Sequence, residues 1–467
     1  MVVANRLPVD RIEHVDGTVS WRTSPGGLVT AFEPVMRAHH GAWVGWHGGA
    51  NEALQPFENE GFELVPVPLS GYEVEAYYEG FSNATLWPLY HDVIAPPVFH
   101  RDWWEAYVVV NQRFADQTAE IAEQHAVVWI QDYQLQLVPQ MLRELRPDLR
   151  IGFFLHIPFP PTELFQRLPW RRQVLEGLLG ADLVGFQRPG AAANFVRLAR
   201  SLLGLRTQRN AIRAEDGRTV FASHYPISID FGEMDELARS EATEKRAEEL
   251  RADLGRPRNI VLGVDRLDYT KGIGQRLKAI DELFAEGRVS VEDTVFVQVA
   301  TPSRERVEQY RLMRKEIEGQ VGHLNGAYGR IGRAPIHYLH NSYPREEMAA
   351  LFRAATVALV TPLRDGMNLV AKEFVACRYD QTGVLVLSEF AGAADEFRQA
   401  LLVNPYDMDS LKRTIVASLR MPVAEQRKRM RTMRKRVRSF DVAAWADAFL
   451  YDLRSDYPHA DVPGSAS

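Results

Sequence analysis

One cysteine in 467 residues, Cys377, rules out an internal disulfide. It suits a buried filler position in a reducing compartment. No apolar run approaches the roughly 20 residues of a membrane-spanning helix, and the N-terminus lacks the pattern of a signal peptide. Met1-Val2-Val3-Ala4 reads as a strand that starts at once, which leaves room for residues upstream. Positive charge is not in surplus. With 55 Lys and Arg against 61 Asp and Glu, the net charge of −6 gives no reason to expect nucleic acid or an anionic membrane as a partner. Gly-x-Gly-x-x-Gly is missing from the first β–α turn, which counts against a dehydrogenase. The expectation is a soluble, cytoplasmic protein that works on small molecules.

What is present is a long alternation of short β-branched runs and amphipathic stretches. The predicted strands are Val2–Ala4, Ala42–Trp46, Phe62–Val67, Val127–Ile130, Ile151–Leu155, Leu183–Phe186 and Val220–Tyr225, then Ile260–Val264, Thr294–Val299, Ile336–Leu339, Val357–Val360, Val384–Leu387 and Leu401–Val403. The segments between them are long enough for crossover helices, so the pattern predicts α/β units with parallel sheets covered on both faces. The length favours two domains. Composition shifts between Ser228 and Pro257, where a charged helix from Met234 to Leu254 is expected. The boundary is placed near Ser228, giving domains 1–228 and 229–439, a final helix over 440–457, and a disordered tail over 458–467.

Chemistry-bearing residues gather just past the strands, where ligands of such sheets bind. Thr361-Pro362-Leu363-Arg364-Asp365-Gly366-Met367-Asn368 follows a strand and leads into the helical Leu369-Val370-Ala371-Lys372-Glu373. Free N–H groups and the positive end of a helix dipole there suit a phosphate, and Glu373 lies one turn on, within reach of a sugar diol. Asp265-Arg266-Leu267-Asp268-Tyr269-Thr270-Lys271-Gly272 puts two cations on a loop. Arg266 and Lys271 can neutralise a diphosphate as it leaves, or form surface salt bridges with Asp265 and Asp268. Arg304, past another strand, can clamp a second phosphate. Gly26-Gly27 lets backbone amides approach a sugar or phosphate, or simply makes a turn. In the first half, Arg6 can bind an anion, Tyr78 and Trp87 can cover a sugar ring or pack in the core, and His156 is either functional or a hydrogen-bonded structural histidine.

Together these segments resemble trehalose-6-phosphate synthases, in order, from Met1 to about Tyr457. The resemblance implies retaining glucosyltransferase chemistry on two facing Rossmann-like domains (the GT-B fold), with the active site in the cleft between them and the last helix crossing back onto the first domain. It implies that Arg6, Tyr78, Trp87, Asp132 and Arg304 bind glucose 6-phosphate. It implies that Gly26, Gly27, His156, Arg266, Lys271, Tyr343, Asp365, Leu369, Val370 and Glu373 bind a UDP-, ADP- or GDP-glucose, Tyr343 through its main chain. Arg266, Lys271, His156 and Asp132 would carry catalysis, with no metal ion or other cofactor, in a homo-oligomer. Two departures stand out. The family's His-Asp-Tyr-His is here Gln131-Asp132-Tyr133-Gln134, whose glutamines cannot titrate near neutral pH. The stretch between Arg6 and Gly26 is longer, with Asp16-Gly17 as a hairpin turn.

Other signals fail. Asp407-Met408-Asp409 has the spacing of a metal-binding Asp-x-Asp but precedes a helix, where Asp is a routine cap. His14-Val15-Asp16-Gly17-Thr18 resembles a phosphatase signature without its leading nucleophilic Asp, and no room remains for a phosphatase domain. The basic run from Arg427 to Arg436 reads as a solvated helix face. A relative with another phosphorylated acceptor (glycerol phosphate or a cyclitol phosphate) and a silent sugar-phosphate sensor stay open as alternatives.

Overall fold

The computed structural model describes residues 1–14, 16, 18–24, 29, 36, 41–59 and 61–455. Its contacts divide the chain into two units, Met1–Ile227 with the chain from Ala443 onward, and Ser228–Val442. In the first unit ten of the described strands form one large sheet. Its spatial order is Arg206–Gln208, Ala211–Arg213, Thr219–His224, Leu183–Phe186, Arg150–Leu155, Val127–Gln131, Val2–Arg6, Ala42–Trp46, Phe62–Pro66 and Phe57–Asn59. The seven strands from Thr219–His224 to Phe62–Pro66 run parallel, and antiparallel strands close the edges. The second unit has an all-parallel sheet ordered Ile336–Leu339, Thr294–Thr301, Asn259–Arg266, Val357–Val360, Val384–Ser388 and Leu401–Val403.

The predicted strands are all present, most of them as apolar, β-branched or aromatic runs buried at nearly every position. Val357–Val360 and Val384–Ser388 are buried at every position. What the sequence reading missed are mostly edge strands, which are short and half exposed. The hairpin is real: Val9–Glu13 pairs antiparallel with Val19–Thr23. Between them, Asp16 accepts from the Thr18 N–H at 2.9 Å, an Asx turn. From Val74 to Leu86 the chain winds as a π-helix, in which the Trp87 N–H reaches back to Ser82 O. No sequence pattern announced it.

One expectation is corrected. The charged helix expected from Met234 to Leu254 is two helices, Phe231–Arg239 and Glu241–Asp253. Ser240 is extended between them, and its hydroxyl caps the second by accepting from the Thr243 N–H. Asp407 is indeed a cap, accepting from the Ser410 N–H. Cys377 is buried, and burial pushes its thiol up, away from reactivity.

From Ala443 on, the helix Val442–Arg454 lies on the first sheet. Phe449 stacks on Trp129 at 4.2 Å, and the Trp445 indole N–H donates to Tyr225 O at 3.1 Å. Both side chains are fully buried, and truncating such an aromatic costs about 3–5 kcal/mol. Among the described residues no helix is long and apolar enough to cross a membrane.

Candidate functional site

Both sheets share one strand order. Numbering the parallel strands by appearance, the second sheet runs 3-2-1-4-5-6 and the first 3-2-1-4-5-6-7, the doubly wound arrangement. The direction of winding reverses between strands 1 and 4, and ligands bind outside the carboxyl ends at that point. In the first unit the reversal lies between Val2–Arg6 and Val127–Gln131, which are followed by Arg6 and Asp132. In the second it lies between Asn259–Arg266 and Val357–Val360, followed by Lys271 and by the loop ending at Asn368. Of the residues that the sequence picked out, Arg6, Asp132, Arg266, Lys271 and Asp365 follow the strands at these two points.

In the first unit, five neighbouring strands end in Gln187, His156, Gln131-Asp132, Arg6 and Trp46, in spatial order. The exposed Arg6 guanidinium sits over Trp46, 5.0 Å from its ring, and Tyr78 meets the same ring edge-on at 5.7 Å. Gly48, at φ +100°, makes room: a Cβ there would lie 2.4 Å from an Arg6 nitrogen. Asp132 holds a left-handed backbone, φ 71°, and its carboxylate accepts from the His156 N–H at 3.1 Å. Trp87 is only 4% exposed and packs on His91 and Tyr133 at 4.2 and 5.7 Å. Its ring is as buried as that of Trp46, also 4% exposed, whereas Tyr78 is half-buried.

The His156 ring has a defined tautomer. Ile227 N–H donates to Gln187 Oε1 at 2.9 Å, which turns the Gln187 amide nitrogen toward His156 Nδ1 at 3.5 Å. Nδ1 is thus the acceptor, and Nε2–H donates to Gln131 Oε1 at 2.9 Å. Burial lowers the imidazole to about 3. The fold favours the neutral ring, so its contribution to stability is complete above the ordinary value near 6.5 and is lost as pH falls toward 3. The rate–pH profile is expected to carry no acid limb near 6.5 from this residue. A limb there that vanishes in His156→Asn would contradict the assignment.

In the second unit, Lys271 Nζ donates to Asp365 Oδ2 at 2.6 Å, and the Asn368 amide donates to the same oxygen at 3.1 Å. Asn368, at φ 82°, caps the helix Leu369–Cys377 by accepting from the Ala371 N–H. Leu369 and Val370, half-buried, form the first turn at its positive end. The two loops are fastened together: Leu363 N–H donates to Thr270 O at 2.7 Å. Gly272, at φ +66°, leaves no space for a Cβ, which would fall 2.2 Å from Thr361 O. Arg266 ends its strand exposed. Glu373 follows one turn into the helix, and desolvation raises its carboxyl. Tyr343 lies half-buried beyond the edge strand Ile336–Leu339.

Arg304, at φ 48°, donates to Asp268 Oδ2 at 3.1 Å, and the Tyr310 hydroxyl donates to the same oxygen at 2.9 Å. Burial alone would raise the Asp268 carboxyl, but Arg304, Arg266 and Lys271 hold it at about 2. The ion pairs differ from the salt-bridge alternative: Lys271 sits on Asp365, while Arg304 takes Asp268 and Arg276 takes Asp265. Asp132, Arg304 and Asn368 all hold left-handed backbone without being glycine. Such strain concentrates at functional sites. Gly26 and Gly27 lie outside the described residues.

The sequence reading missed Arg276. It is fully buried and binds three carbonyl or carboxylate groups: Asp265 Oδ2, Lys271 O at 2.8 Å and Leu359 O at 3.0 Å. One guanidinium thus ties the Arg266 strand, the Lys271 loop and the strand feeding the Asp365 loop. The signal was available, since Arg276 interrupts the apolar face Ile273, Leu277, Ile280 and Leu283 of its helix. Among the described residues no group of three or more His, Cys, Asp or Glu could hold a metal ion.

A family model described as Glycosyltransferase family 20 matches residues 1–455. The trehalose-6-phosphate synthase of Mycolicibacterium vanbaalenii is 59% identical over 472 residues, covering 98% of this chain and 96% of that one. An alpha,alpha-trehalose-phosphate synthase (UDP-forming) from Burkholderia xenovorans, solved in complex with glucose-6-phosphate, is 36% identical with a TM-score of 0.88, covering 97% of this chain and 99% of that one. A structure from E. coli bound with UDP-2-fluoro glucose is 34% identical with a TM-score of 0.89, covering 98% of this chain and 100% of that one.

Proposed function

The chain belongs to glycosyltransferase family 20, and from that membership we propose that it moves glucose from a nucleotide-glucose to glucose 6-phosphate. The products are α,α-trehalose 6-phosphate and the nucleoside diphosphate. The observation that carries this reading is the second unit's switch point, where Arg266, Lys271 and a helix N-terminus gather. Cations and free amides placed there suit a leaving diphosphate. The relatives from Burkholderia xenovorans and E. coli hold the two kinds of substrate, an acceptor phosphate and a UDP-sugar. The test is nucleotide release from UDP-, ADP- and GDP-glucose against glucose 6-phosphate, glycerol phosphate and a cyclitol phosphate. Release that depends on glucose 6-phosphate supports the reading. Binding without turnover would make the protein a sensor, and release with another acceptor alone would reassign it.

On the acceptor, Arg6 and Arg304 bind the phosphate, while Tyr78, Trp87 and Asp132 hold the sugar. The Arg304→Ala variant is expected to raise the KM for glucose 6-phosphate by roughly tenfold or more, the loss of a charge-assisted hydrogen bond. Free glucose should then gain relative to glucose 6-phosphate. An unchanged ratio of the two acceptors would remove Arg304 from phosphate recognition. On the donor, Asp365, Glu373 and the amides of Leu369 and Val370 bind the sugar and the nucleotide, with main-chain contributions from Gly26, Gly27 and Tyr343.

Glucose starts α-linked and ends α-linked, so the configuration is retained. A double displacement needs a carboxylate beneath the anomeric carbon. The Asp132 carboxylate is engaged with His156 N–H and that of Asp365 with Lys271 and Asn368. We read the route as same-face: the acceptor hydroxyl attacks C1, the C1–O bond to phosphate breaks, and the leaving phosphate takes the hydroxyl proton. Arg266, Lys271 and the helix start at Leu369 then hold the diphosphate charge without a metal ion. Activity is expected to survive EDTA. Loss that a divalent cation restores would overturn the metal independence, and a glucosyl adduct on either aspartate would overturn the route. The protein is read as a cytoplasmic homo-oligomer, and a single-chain mass in sedimentation would contradict the latter.

A further inference from the structure

The basic run of the helix Val423–Ser439 does not simply face solvent. With neighbouring elements of the second unit it lines a cavity of about 330 Å³, formed by Arg239, Tyr379, Gln381, Arg431, Arg434, Lys435 and Arg438. None of these residues belongs to the donor half-site. Five cations meet there, and among the described residues one carboxylate pairs with them: Asp235 pairs with Arg239 at 2.8 Å and with Arg434, and lies 4.0 Å from Arg438. Arg431 has an amide partner, donating to Gln381 Oε1 at 3.2 Å. Like charges held this close repel one another, and the repulsion is relieved when an anion enters.

The walls are built rather than loose. Arg434 is 7% exposed, its guanidinium fixed by Asp235 and by Val375 O and Ala376 O. Arg239 and Arg353 both lie over the Tyr379 ring, at 4.5 and 4.2 Å, and the Tyr379 hydroxyl donates to Glu244 at 2.5 Å. Gln381 is held at φ 61°. With Tyr379 taken up by guanidinium groups, the cavity offers no ring for a nucleobase to stack on. It offers charge and planar donors, the chemistry of phosphate recognition.

We propose that this cavity binds a compact polyphosphate, recognised by its chain of phosphates rather than by a base or sugar. A single phosphate matches the charge surplus poorly, whereas a di- or triphosphate carries three to four negative charges at neutral pH, about the surplus of the cavity. The occupant also touches the donor half-site indirectly. The Arg434 guanidinium caps the last carbonyls of the helix Leu369–Cys377, whose first turn faces the donor phosphates.

The test is calorimetry on the full chain at physiological salt with saturating UDP, titrating tripolyphosphate, ATP and orthophosphate. Tripolyphosphate is expected to bind one to one, ATP no more tightly, and orthophosphate much more weakly. The exposed pair Arg431→Gln with Lys435→Gln should weaken tripolyphosphate by roughly tenfold or more and leave the fold intact, checked by its thermal midpoint. Lys271→Ala should leave this binding unchanged. Equal affinity in the double variant, or loss of binding in Lys271→Ala alone, would overturn the proposal by returning the anion to the donor site. Orthophosphate binding as tightly as tripolyphosphate would overturn the polyphosphate assignment.

Discussion

Lys271→Ala and Arg266→Ala are each expected to lower kcat by roughly two to three orders of magnitude, the usual effect of losing one group aimed at developing charge. The reason is geometric. Lys271 Nζ is already held 2.6 Å from Asp365 at the switch point, on a loop pinned by Gly272 and by the Leu363–Thr270 hydrogen bond. A cation fixed this way needs no reorganisation when the diphosphate departs. The KM for glucose 6-phosphate should change little, because neither residue is placed on the acceptor. Steady-state kinetics with both substrates varied separates the two effects. Near-normal kcat in both variants would remove these cations from the chemistry. A rise in acceptor KM with kcat unchanged would move them to the other substrate.

Arg276→Met is expected to destabilise the second unit by about 3–5 kcal/mol, the range for removing one partner of a buried ion pair. Asp265 would be left buried without its guanidinium, and Lys271 O and Leu359 O would each lose a donor. Urea unfolding reads the loss directly, as a lower midpoint with an unchanged slope. Among molecules still folded, kcat should fall as well, since the Lys271 loop loses its anchor. Arg276→Lys is expected to recover part of the stability and less of the rate, because an ammonium cannot span three acceptors as the planar fork does. A fully stable Arg276→Met protein would show that the three segments hold together without it.

The legibility of this molecule followed burial. Strands buried on both faces are near-continuous apolar runs, and Val357–Val360 or Leu183–Phe186 could be bounded to the residue. Edge strands such as Arg206–Gln208 carry no such pattern and were missed. Residues ending central strands, Arg6, Asp132 and Arg266 among them, were readable because polar groups past an apolar run are conspicuous. Aromatic rings illustrate the limit, since composition does not show that Trp87 packs on His91 and Tyr133. Trp46, the ring that does meet Arg6 and Tyr78, passed as one more apolar residue of its strand. The basic helix was read as solvated because nothing in its sequence shows that Arg434 turns inward. Tertiary contact decides such cases.

The most direct measurement is proton NMR of the full reaction, with EDTA-treated protein, UDP-glucose and glucose 6-phosphate, beside an assay of nucleotide release. The account requires an α,α-linked trehalose 6-phosphate to appear in step with UDP, one for one, and neither product when glucose 6-phosphate is omitted. Free glucose released in place of the disaccharide, a β-linked product, or no turnover despite binding of both substrates would contradict it.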